Sequence, residues 1–149
     1  VPAVTERARL APFVVTLAGT EGAVRDGLSQ VLRALVPLGL GADTLGTVEL
    51  VLAEVLNNVI EHALAGAVSP PPIEVRGHQT KRGLHLTVID RGTPMPDTKA
   101  PVGRVPDLGV PLADMPEGGF GWFLVRTLAQ DIRYTRVDGI NHLDLVLPL

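Results

Sequence analysis

Hydrophobic and polar positions along the chain alternate in some stretches, recur at helical spacing in others, and lose all period in one long segment. The first apolar run, Phe13-Val14-Val15-Thr16-Leu17-Ala18 ending at Gly19, predicts a strand. Thr20-Glu21 then looks like a helix start with an acid in its first turn. Val24, Leu28, Val31, Leu32 and Leu35 follow at spacings of three and four, which predicts a helix over 21–36. Pro37 and Gly39-Leu40-Gly41 break it. Asp43 is the expected N-cap of a second, longer helix from 44 to about 65, closed by Gly66. Ser69-Pro70-Pro71-Pro72 reads as a stiff connector.

Period two returns in Ile73-Glu74-Val75-Arg76 and again in Leu84-His85-Leu86-Thr87-Val88-Ile89, with Lys81-Arg82-Gly83 as the turn between them. After Asp90 the pattern is lost as far as Gly119, with prolines at 94, 96, 101, 106, 111 and 116. A long aperiodic stretch inside a small domain is more often functional than idle. Helical spacing resumes over 120–130, and two strands, 132–137 and 143–147, close the chain around a turn at Asp138-Gly139. The order β-α-α-β-β-loop-α-β-β predicts an α+β fold: a two-layer sandwich in which a mixed, mostly antiparallel sheet carries three helices on one face.

Composition narrows the class. The 149 residues suit one domain spanning 1–149, and at 46% hydrophobic and 19% charged the chain is globular. With 3% aromatics, Leu, Val, Ala and Ile must build the core, and with no Cys there is no disulfide and no sign of export, so a cytoplasmic location is expected. A net charge of −3 with scattered Lys and Arg argues against a nucleic-acid surface, which needs clustered positive charge. No apolar run is long enough to span a membrane and no leader pattern opens the sequence, so neither a membrane span nor a signal peptide is expected.

Candidate chemistry first appears on the second helix. Glu54, Asn58 and His62 recur every four residues and Glu61 lies seven after Glu54, so the four fall within about a third of the helix circumference. Val48, Leu52, Val55, Val59 and Ala63 fill the neighbouring arc and should face the sheet, which sets the polar row at the edge of the core. An amide oxygen there can hold a divalent ion, and a carboxylate can take a proton from an attacking hydroxyl. Read alone, the row is also what a solvated helix face looks like, although Asn57-Asn58 is awkward for it because Asn is a poor helix former.

Two glycine motifs follow. Val88-Ile89-Asp90-Arg91-Gly92-Thr93-Pro94 ends an apolar strand with an acid and then turns. A sheltered Asp can accept a hydrogen bond from the exocyclic amine of adenine, worth about 1.5–3 kcal/mol, and Gly92 leaves room for a flat ring or a bridging water. An ordinary β-turn has the same composition. Glu117-Gly118-Gly119-Phe120-Gly121-Trp122 is a glycine-rich loop entering a helix, where main-chain N–H groups bind anions, or else a hinge that caps the helix. No Gly-Lys-Ser/Thr follows, and no strand directly precedes it, so neither the Walker nor the dinucleotide fingerprint applies.

Taken in order, Glu54-x3-Asn58-x3-His62, Asp90-x-Gly92-x-Pro94 and Gly119-x-Gly121 at a helix start resemble the N, G1 and G2 boxes of the GHKL (Bergerat-fold) ATPases. The short length and the tail from Asp131 to Leu145 look like the bacterial anti-sigma factor serine kinases, and the resemblance covers roughly residues 10–149. The resemblance implies binding of ATP or ADP with Mg2+. It implies Glu54 as general base toward a serine hydroxyl, Asn58 as the Mg2+ ligand beside the triphosphate, and Asp90 with Gly92 at adenine. Gly119 and Gly121 match the phosphate-binding loop, and 95–117 matches the ATP lid. His62 sits at a position often basic in the family and is given no role.

The implied partners are a sigma factor, a STAS-domain antagonist that is phosphorylated, and a second copy in a homodimer. The sequence departs from the family in two places. Some members carry a Thr near adenine on the last strands, where this chain has Ile140-Asn141-His142, so no role is assigned there. The lid is rich in proline and holds only Lys99 and Arg104 as cations. A nucleotide-gated regulatory module with little kinase activity is therefore the alternative. The catalytic half of a histidine kinase fits less well, since paired helices carrying a phosphoacceptor His are expected ahead of it and Phe13 already begins a strand.

Overall fold

Side-chain parity in the strands decides which face of the sheet is covered. The computed structural model describes residues 10–96, 99–100 and 120–149. In it Val15 and Leu17 of β1 (Phe13–Leu17), Ile73 and Val75 of β2 (Ile73–Thr80), and Leu84, Leu86 and Val88 of β3 (Gly83–Asp90) are buried on one side. Leu143, Leu145 and Leu147 of β5 (Ile140–Leu147) join them, and Ile132 and Tyr134 of β4 (Gln130–Val137) pack at the margin. Against this face lie α1 (Glu21–Ala34), α2 (Ala42–Asn58) and α3 (Phe120–Leu128), contributing among others Val31, Leu52, Val55, Leu56 and Val125. The other face is mostly polar: Asp144 accepts from Thr87 Oγ1 at 2.7 Å and pairs with His85 Nε2 at 3.0 Å.

The strand order is β1-β2-β3-β5-β4, and every described pairing is antiparallel. This corrects the expectation of a mixed sheet. β3 and β4, joined through α3, do run in the same direction, but β5 inserts between them and removes the parallel contact. The α1–α2 pair brings the chain back to the end of the sheet it left, so β2 pairs antiparallel with β1.

Several boundaries shift for local reasons. Gly41, not Asp43, is the N-cap of α2, and Asp43 sits in the first turn, where its charge still complements the positive end of the helix. After Asn58 the helix widens into a π-helical turn, Val59–Ala63, with Leu64 N–H reaching back to the Val59 carbonyl at 2.9 Å. Gly66, at φ 76°, then turns the chain out of the helix as its position predicted. β2 runs on to Thr80 beyond its apolar alternation, paired with β3 as far as Thr80–Gly83, and Gly77 leaves room for the Phe13 ring. Asp138 and Gly139, at φ 53° and 75°, form the left-handed two-residue turn that sets the β4–β5 register.

Two substitutions test this packing. Leu52, fully buried in α2, should lose about 2–5 kcal/mol on change to Ala. Gly46, in the same helix with nothing near the position of a Cβ, should gain about 0.4–1 kcal/mol as Ala. Urea unfolding midpoints moving down for Leu52→Ala and up for Gly46→Ala are the expected result.

Candidate functional site

The alternation that buries Leu84, Leu86 and Val88 also turns the last residue of β3 inward, and that residue is Asp90, 6% exposed. Its Oδ1 accepts two hydrogen bonds, from Gly92 N–H at 2.9 Å and from Asn141 Nδ2 at 2.9 Å. Asn141 is the cross-strand partner of Asp90 on β5 and is 2% exposed. Its Nδ2 also donates to the Thr93 carbonyl at 2.9 Å, and its Oδ1 accepts from Tyr134 OH at 2.5 Å and Arg136 Nη1 at 2.7 Å. Arg136 can only donate and a carbonyl can only accept, so these partners fix which way the amide points. Arg136 Nη1 further donates to the Gly92 carbonyl at 2.9 Å, and Tyr134 OH accepts from Met95 N–H at 3.1 Å.

The helix side is built by the end of α2. Glu54 and Asn58 are half-buried at the edge of the apolar stripe, while Glu61 and His62, in the π-helical turn, are exposed. The Ala63 carbonyl accepts Thr93 N–H at 2.8 Å, which ties the segment after β3 to the helix end. Gly92 is required by the same approach, since a Cβ there would run into the Ala63 carbonyl. The absent side chain thus makes room for the helix end.

Between helix end and sheet lies a cavity of about 450 Å³ whose lining includes Asn58, His62, Asp90, Trp122, Tyr134 and Asn141. That volume is in the range of small-molecule sites. Of the residues singled out in the sequence, Asn58 and Asp90 therefore meet in one cavity. Glu54 does not line it: it lies one helical turn earlier, against the first turn of α3, where a Cβ on Gly121 would overlap its carboxylate. Gly121 is thus a helical residue that lets α3 approach Glu54. Gly119, Arg104 and most of the 95–117 segment lie outside the described residues, although Met95, Pro96 and Lys99 lie inside.

Four side chains were missed: Asn141, Tyr134, Arg136 and Trp122. Asn141 had a signal, because Leu143, Leu145 and Leu147 set the inward parity of β5 and Asn141 falls on it. Tyr134 and Arg136 share an alternate register on β4 but carry no motif. Trp122 is 7% exposed, and its indole N–H has no hydrogen-bond partner among the described residues.

For Mg2+, the donor set is a neutral amide oxygen on Asn58, and the described residues hold no group of three or more His, Asp or Glu able to bind a metal alone. That fits an ion shared between one or two protein ligands and the phosphates of a nucleotide. No described helix is long and apolar enough to cross a membrane.

The model of the histidine kinase-like ATPase domain matches residues 15–147. Among curated proteins, the serine-protein kinases RsbW of Bacillus thuringiensis (strain Al Hakam) and Bacillus cereus (strain 03BB102) are each 26% identical over 106 residues, 70% of this chain. The matched part spans 64% of the length of those relatives. Among solved structures, the RsbU and RsbW domains of Rv1364c from Mycobacterium tuberculosis superpose with a TM-score of 0.62 at 21% identity, covering 93% of this chain and 32% of that one. The histidine kinase domain of the blue-light activated histidine kinase of Erythrobacter litoralis EL346 gives 0.51 at 22%, covering 85% and 61%. These two likenesses show the fold, a five-stranded antiparallel sheet under three helices of the GHKL type. With the family model matching nearly the whole chain, the protein belongs to the histidine kinase-like ATPase domain family.

Proposed function

We propose that this chain binds ATP with Mg2+, phosphorylates a serine of a STAS-domain antagonist, and sequesters a sigma factor when that antagonist is absent. The observation that carries the reading is the buried Asp90 carboxylate, held by two donors on Oδ1, in the cavity that Asn58 also lines. A fixed acceptor favours the 6-amino group of adenine and opposes the 6-oxo group of guanine. Asn58 would hold Mg2+, which neutralises phosphate charge when bound. The start of α3 would offer main-chain N–H groups to the phosphates, and Gly121 lets that turn lie against Glu54.

In the transfer step the serine oxygen forms a bond to the γ-phosphorus, the bond from that phosphorus to the bridging oxygen breaks, and ADP leaves. The serine proton passes to Glu54, which stands against the first turn of α3, where the phosphates would lie. The serine-protein kinase relatives, at 26% identity over 70% of the chain, support this reading. Because Glu54 lies outside the cavity lining, a nucleotide-gated regulatory module without useful transfer is the second reading.

Trp122, the sole tryptophan, lines the cavity and reports binding by fluorescence. Titration with ADP and Mg2+ should change its emission saturably, and Asp90→Asn should weaken that binding about 10- to 100-fold. Unchanged affinity in Asp90→Asn would remove the base-reading role. With radiolabelled ATP and a cognate STAS protein, Glu54→Ala should keep nucleotide affinity and lose transfer about 10²- to 10⁴-fold. Wild-type protein that binds nucleotide and sigma factor but leaves the label on ATP would establish the regulatory module instead.

A further inference from the structure

We infer that Tyr134 and Arg136, on the edge strand β4, are positioning residues that set the cavity's preference for a 6-amino over a 6-oxo purine, acting on Asp90 through Asn141. The inference rests on the adenine-nucleotide reading above. Its basis is the direction of each hydrogen bond in the chain that ends on Asp90.

Met95 N–H donates to Tyr134 OH, so the tyrosine oxygen is already an acceptor and its own proton goes to Asn141 Oδ1. Arg136 Nη1 donates to the same Oδ1. A flipped amide would set N–H groups against the guanidinium and an oxygen against both Asp90 Oδ1 and the Thr93 carbonyl. Arg136 and Tyr134 therefore hold Nδ2 toward Asp90. Among the described residues, Gly92 N–H and Asn141 Nδ2 both donate to Oδ1, and none donates to Oδ2. The acceptor left for a ligand is thus one oxygen in one place.

That fixity matters for the choice between purines. Adenine offers a 6-amino donor, whereas hypoxanthine offers a 6-oxo acceptor and a donor one atom away at N1. A carboxylate free to swing can follow that N1–H, and a carboxylate held by Asn141 cannot. Loosening the support from β4 should therefore weaken ADP binding while sparing or improving IDP binding. A purely structural role would weaken both nucleotides in parallel.

The test is the ratio of IDP to ADP dissociation constants, read from Trp122 fluorescence with Mg2+ present, in the wild type, Tyr134→Phe and Arg136→Met, with thermal unfolding as the check on folding. Tyr134→Phe removes one oxygen and keeps the half-buried ring, so it remains informative if Arg136→Met fails to fold. The wild type should favour ADP about tenfold or more, and each variant should cut that ratio about threefold or more. Parallel weakening with an unchanged ratio overturns the inference and leaves the nucleotide reading standing. A wild type that binds neither nucleotide removes both.

Discussion

An acidic side chain at the end of a buried strand is the constraint around which this site is arranged. Moving a carboxylate out of water costs several kcal/mol unless donors replace the lost solvent. At Asp90 those donors are a main-chain N–H two residues on and the amide of its cross-strand neighbour. The neighbour is in turn saturated, with donors on its oxygen and acceptors on its nitrogen, and the only full positive charge in the chain of bonds is Arg136 at the sheet edge. Burial, orientation and charge balance at the Asp90 end of the cavity are thus one problem with one solution, spread over β3, β4 and β5.

The helix side answers to a different constraint. The apolar stripe of α2 must face the sheet, and this leaves Glu54 and Asn58 at its border, half in the core and half out. The π-helical turn that follows carries the chain to Ala63, whose carbonyl receives the segment leaving β3. Gly92 and Gly121 serve comparable ends, since each lacks a side chain where another element approaches, the helix end in one case and the Glu54 carboxylate in the other. Close approach of main chain to neighbour, more than turn formation, explains these glycines.

Much of the fold was legible because it is written in local periods. Strand alternation and the three-and-four spacing of the helices located the five strands and the three α-helices, though not the short 3₁₀ turn Val36–Leu38 or the π-helical turn Val59–Ala63, and the Asp138-Gly139 pair marked its hairpin through a left-handed turn that few residues tolerate. What period cannot report is pairing. The insertion of β5 between β3 and β4 made the sheet wholly antiparallel, and nothing in the spacing of apolar residues encodes it. The site divides in the same way. Asn58 and Asp90 stood out because a polar group bordered an apolar pattern, whereas Tyr134 and Arg136 act across the β4–β5 hairpin on Asn141, and although the Asp138-Gly139 turn sets that register, nothing in their own spacing marks them as its partners. Asn141 could have been found by parity alone, as the one polar inward residue of β5.

Asp90 is proposed to read an adenine base in the cavity beside Asn58, and a crystal structure of the protein with ADP and Mg2+ would decide it. The 6-amino group is expected within hydrogen-bond distance of the Asp90 carboxylate, with the metal beside Asn58. An adenine bound elsewhere, or a cavity left without nucleotide at saturating ADP, would contradict it.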